Sequence, residues 1–154
     1  MNPVAQASEE IIRRATLKRI PIVVRALPVQ CWNCGHDDGA VAFIHLEGVT
    51  NGGEVVTTNR SLTLSYAAEL LTDAGHPKAR TIRVRVNAAT GASYLSNGCL
   101  SCDALFGGST LEDALYASLA GGHISDLPIL VTVHRPGVEW FSLLGLSWTT
   151  GRLG

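Results

Sequence analysis

Four cysteines account for every thiol in the 154-residue chain, in two pairs of identical spacing: Cys31-Trp32-Asn33-Cys34-Gly35 and Cys99-Leu100-Ser101-Cys102-Asp103. Two thiolates three residues apart turn toward one ion when the backbone forms a tight knuckle. Two knuckles supply four thiolates, the tetrahedral donor set of Zn²⁺, and a closed shell of this kind leaves no position for water. The expected cofactor is therefore one structural zinc ion per chain. Four thiolates also fit iron, and the spacing leaves that choice open. A dithiol redox centre needs one C-x-x-C and would leave the second idle. The residue after each second cysteine is expected at positive φ. Gly35 adopts that region without strain, and Asp103 is among the few other residue types that tolerate it.

The pattern resembles a four-cysteine zinc ribbon of the rubredoxin-knuckle type. The resemblance covers Gln30 to Gly35 and, more loosely, Tyr94 to Gly107. The second stretch is similar to segments of small, mostly uncharacterised bacterial zinc-ribbon proteins, in which a strand runs into an Asn-Gly or Asn-His step before the knuckle. By position the resemblance implies Cys31, Cys34, Cys99 and Cys102 as ligands. Knuckles usually lie about 12 to 20 residues apart, whereas here the 64 residues 35–98 separate them. The ribbon is expected to carry a long insertion whose ends the metal joins, so chelation should unfold or loosen the region.

Other candidates for chemistry have plainer readings. His45-Leu46-Glu47 with Cys99-x-x-Cys102 is similar to the zinc-deaminase signature H-x-E…P-C-x-x-C. Gly98 stands where that signature has Pro, His45 falls inside an expected strand, and Cys31 and Cys34 would be left over. His36-Asp37-Asp38 reads as a solvated loop leaving the first knuckle, and His123 and His134-Arg135 as exposed loop residues. No nucleophile elbow or phosphate-binding loop is present. An enzyme would have to use His36, Asp37, His45 and Glu47; the expectation is that there are no catalytic residues.

Charged residues make up only 16% of the chain, its net charge is -1, and its mean hydropathy is +0.21. A disordered chain is excluded. Sparse charge suggests a surface covered by a protein partner or a second copy, through an edge strand of the last hairpin. Nine of the twelve basic residues occupy two acid-free segments: Arg13, Arg14, Lys18, Arg19 and Arg25, then Lys78, Arg80, Arg83 and Arg85. If their strands are neighbours, one face is basic, and nucleic acid is the alternative partner. Trp32 and Tyr94 are the aromatics placed to stack. No signal peptide or membrane helix is read from the sequence, so the expected location is cytoplasmic, where thiols stay reduced.

Patterning predicts about seven strands and three short helices in one α+β domain spanning 1-154, rich in antiparallel sheet. Helices are expected from Ser8 to Leu17, over Tyr66–Ala74 (capped at Ser65, closed by Gly75), and after the capping box Ser109-Thr110-Leu111-Glu112. Strands are expected at Ile20–Leu27, Ala40–Leu46, Glu54–Thr58 (after an Asn51-Gly52-Gly53 turn), Thr81–Asn87 and Ala92–Leu95. The last hairpin pairs Leu127–Val133 with Val138–Leu144 across Pro136-Gly137, and 148-154 is a tail. Within Thr81–Asn87, Ile82, Val84 and Val86 form one face and Arg83 and Arg85 the other. The reading that follows is a structural-zinc domain acting as a protein-interaction module.

Overall fold

The computed structural model describes residues 18–50, 55–121 and 124–153, leaving out the side chains of 108–110, 119 and 146–153. Outside this description lie the Ser8–Leu17 helix, the Asn51-Gly52-Gly53 turn, Arg13, Arg14 and His123. The described residues form an α+β domain with two antiparallel sheets and three α-helices.

The larger sheet is built on β1 (Arg19–Gln30), which pairs with β2 (Asp37–Leu46) on one side and β7 (Ile129–Pro136) on the other; β3 (Val56–Thr57) adds to β2. Pro28 sits beyond the last β7 pair at Arg25↔Ile129. No third strand needs its missing N–H there, so β1 runs on past it. An irregularity between Arg25 and Ala26 pairs Phe43 with Arg25 and Val41 with Ala26. Ala42 is thus an extra residue, and Ala42 and Phe43 enter the same core while Val41 and Ile44 enter the other.

Both faces of this sheet are covered. On one, Ile22, Val24 and Ile44 pack against Leu64, Ala67, Leu70 and Leu71 of α1 (Ser61–Asp73) and Trp140 and Leu143 of α3 (Gly137–Leu153). On the other, Leu27 and Phe43 meet Leu115 of α2 (Gly108–Gly121) and Ile124 of the 3₁₀ turn Ile124–Asp126. The smaller sheet has the order β4 (Arg83–Val86), β5 (Ser93–Gly98), β6 (Leu105–Phe106). Leu95 of β5, with Ile82 just before β4, packs onto the α1 core.

Three expectations are corrected. Val138–Leu144 is helical, because Trp140, Leu143 and Leu144 recur at helical spacing and Gly137 N–H bonds Lys18 O instead of turning a hairpin. An apolar run of this length suits either element. The 148-154 tail belongs to the same helix as far as Leu153. The expected alternation along β4 does not hold: Ile82 is buried and Arg83 exposed, but Arg85 is buried while Val84 and Val86 are exposed, for reasons found at the cysteine cluster.

Candidate metal centre

Each knuckle closes a hairpin, and the two hairpins belong to different sheets. The β1–β2 ladder ends at Gln30↔Asp37 and the β5–β6 ladder at Gly98↔Leu105. The turns share one hydrogen-bond scheme. Gly35 N–H donates to Cys31 O and Cys31 N–H to His36 O; Asp103 N–H donates to Cys99 O and Cys99 N–H to Ala104 O, all at 2.9 Å. Gly35 lies at φ 76° and Asp103 at φ 67°, as the sequence requires.

The four sulfurs lie within 4.8 Å of one another. Cys31 and Cys102 are 3.6 Å apart, as are Cys34 and Cys99. A tetrahedral zinc with bonds of about 2.3 Å sets its sulfurs about 3.8 Å apart, so the donor set fits one ion. Cys31 and Cys99 are buried and Cys34 exposed. The Asn33 amide donates to Cys102 Sγ at 3.4 Å. With the Ala104 backbone N–H it lowers the Cys102 thiol to about 6. The His36 backbone N–H pulls Cys34 down, but desolvation and the three neighbouring sulfurs outweigh it and raise Cys34 to about 11. A cation bound among the four sulfurs would favour the thiolate at every one of them.

Polar side chains fasten the tips together. Asp38 Oδ2 accepts the Leu100 N–H at 2.7 Å, and its Oδ1 accepts from Lys78 Nζ at 2.9 Å. Lys78 Nζ also reaches Gly98 O at 3.3 Å. Asn97 clasps the Val41 peptide, its Oδ1 accepting the N–H at 2.8 Å and its Nδ2 donating to the carbonyl at 3.0 Å. Arg85 donates to Ser96 O at 3.0 Å and to Asp103 Oδ1 at 2.5 Å. Burial lowers its pKa, yet a guanidinium keeps its charge. That duty turns Arg85 inward and leaves Val84 and Val86 outside. A Cβ on Gly98 would collide with Arg85 Nη2. Trp32 donates its indole N–H to Leu105 O at 2.8 Å while its side remains 74% exposed.

Other sequence candidates lie apart. β1 and β4 are in different sheets and are not neighbours. Lys18, Arg19, Arg80 and Arg83 are exposed, with Arg83 paired to Asp103; Arg25, Lys78 and Arg85 are buried. His36 and Asp37 are exposed, but the Asp38 side chain is buried, not solvated. His45 is eight residues along β2 from Asp37, about 26 Å at the usual strand rise, so no His-x-Glu and cysteine site assembles. His45 is fully buried, and Arg135 is not a loop residue. It lies in β7, bonded to Glu139 and Asp73, with its guanidinium carbon 5.9 Å from the Tyr66 ring centroid.

Asp38, Lys78, Asn97 and Arg85 were missed as parts of the site. The Asn-Gly step before the second knuckle was the one sequence signal near them. A cavity of about 600 Å³ opens between β5, α2 and the start of α1. Its Thr58, Ser96 and Asn97 side chains are engaged by neighbouring backbone. No helix among the described residues is long and apolar enough to cross a membrane. No protein-family model, curated protein or solved structure matches the chain.

Proposed function

We propose that Cys31, Cys34, Cys99 and Cys102 hold one structural zinc ion and that the domain is a protein-interaction module working where thiols are kept reduced, in the cytoplasm. The observation that carries the metal reading is the gathering of all four sulfurs within 4.8 Å at the touching tips of two hairpins. Four thiolates close the coordination sphere, so the ion would join two sheets and leave no place for a substrate. The interaction role rests on Trp32. Its ring is largely exposed yet pinned by the Leu105 carbonyl, so little rotamer freedom is lost when a partner's apolar pocket takes it.

Metal analysis with thiol titration tests the first half. About one zinc per chain is expected, with the thiols reacting only after chelation; less than about one overturns it. For the second half, a photo-cross-linker at position 32 should yield a discrete protein adduct in cells. A chain that gives none, and stays monomeric by sedimentation, is not such a module. Retention on a nucleic-acid column that falls steeply with salt would point instead to the exposed Lys18, Arg19, Arg80 and Arg83.

A further inference from the structure

We propose that Asp38 and Lys78 are positioning residues of the metal centre, holding the second knuckle in register with the first before an ion arrives and slowing the ion's release afterwards. The proposal rests on the metal reading above. Asp38 follows the first knuckle by four residues and belongs to the first hairpin. Its Oδ2 takes the N–H of Leu100, which lies between the two ligands of the second knuckle. Its Oδ1 takes the Gly39 N–H at 2.7 Å and Lys78 Nζ at 2.9 Å. Lys78 comes from a third element, the 3₁₀ turn Pro77–Thr81, and grips the carbonyl of Gly98, the residue before Cys99.

The two side chains therefore hold the chain on both sides of Cys99. They are 6% and 4% exposed, and the ammonium lies 5.7 Å from the Phe106 ring centroid. A buried ion pair adds little net stability over packed apolar groups of similar volume, because both charges must be desolvated. What this pair contributes is direction: its hydrogen bonds fix where the second knuckle's backbone stands relative to the first. A metal meeting sulfurs already in register need not order the loops. Outer contacts of this kind typically change metal affinity by about 10- to 100-fold.

The test compares wild type with Asp38→Leu/Lys78→Met, which removes both charges together and leaves neither buried alone. Both proteins should bind one Co²⁺ with the absorption of a tetrahedral tetrathiolate. The double variant should release zinc to excess chelator about 10- to 100-fold faster. Hydrogen exchange on metal-free wild type supplies a second readout that does not depend on the variant folding. A protected Leu100 amide supports the proposal. A Leu100 amide that exchanges freely in the metal-free wild type, or a release rate unchanged in the variant, overturns it. Failure of wild type to bind one metal would sink the metal reading instead, and Leu100 protection would still report on the joint.

Discussion

Arg25 Nε donates to His45 Nε2 at 2.8 Å inside the larger sheet, where both residues are buried. An arginine Nε can only donate, so His45 Nε2 is the acceptor and the ring proton sits on Nδ1, 2.7 Å from Leu46 O. Arg25 also donates to Ser125 O at 3.2 Å and Leu127 O at 2.6 Å. The pair therefore ties β1 and β2 to the segment that enters β7.

This arrangement predicts acid sensitivity. Desolvation lowers the His45 pKa below its ordinary 6.5; the Leu46 carbonyl opposes this and the Arg25 charge reinforces it. The unfolded chain thus binds a proton at a pH where the folded chain does not. This contribution to stability is complete above about pH 6.5 and is lost as the pH falls toward the folded value. The unfolding free energy of wild type, read from urea titrations, should drop across that window by up to about 1.4 kcal/mol per pH unit. In His45→Gln, whose amide oxygen still accepts from Arg25, the drop should be shallower. Equal slopes would refute the assignment.

Gly98→Ala tests the packing of Arg85 against the second knuckle. The new Cβ meets the guanidinium, and Arg85 has little freedom to retreat while it holds Ser96 and Asp103. Overpacking of this kind costs about 1–3 kcal/mol. A urea midpoint shift is the measure, and a neutral result would mean that the guanidinium relocates freely.

The metal centre was more legible in the sequence than the frame that carries it. Cysteine spacing and positive φ at Gly35 and Asp103 are local facts, set within five residues, so they survive into the fold unchanged. The end of α1 was legible too, since Gly75 sits at φ 68°, but its start was not: the helix begins at Ser61 with Arg60 at the cap, five residues before the expected Tyr66, and Ser65 lies inside it. α3 was misread because Val138–Leu144 is apolar enough to serve either element, and only the α1 and β1 surfaces choose. Arg85 and Lys78 read as part of a basic face because their partners, Asp103 and Asp38, lie 18 and 40 residues away. No local pattern announces an ion pair of that separation.

Asp103 shows a second trade. Glycine would relieve the left-handed backbone there, a gain of about 1 kcal/mol. It would also strip Arg83 and the buried Arg85 of their carboxylate, and leaving a buried charged donor unmet costs more than that. Asp103→Gly should therefore destabilise. Asp103→Asn, which tolerates the same φ and keeps one acceptor, should fall between glycine and wild type. Thermal midpoints of the metal-free proteins give the order, and a stabilised glycine variant would contradict it.

Removal of the metal should have a bounded effect. The two large cores around Ile44 and Phe43 contain no cysteine; Cys31 and Cys99 belong to a small separate cluster with Ala40 and Phe106. Helices α1 and α3 and the β1–β2–β7 ladder are anchored in the core around Ile44. Chelation should therefore lower the thermal midpoint and speed hydrogen exchange at residues 31–36 and 101–106, with the Leu100 amide still protected by Asp38, while far-ultraviolet dichroism stays close to the loaded protein. Cys31→Ser/Cys34→Ser should reproduce that state. Loss of most helical signal on chelation would show that the ion organises the whole domain, and that the apolar cores cannot hold the larger sheet alone.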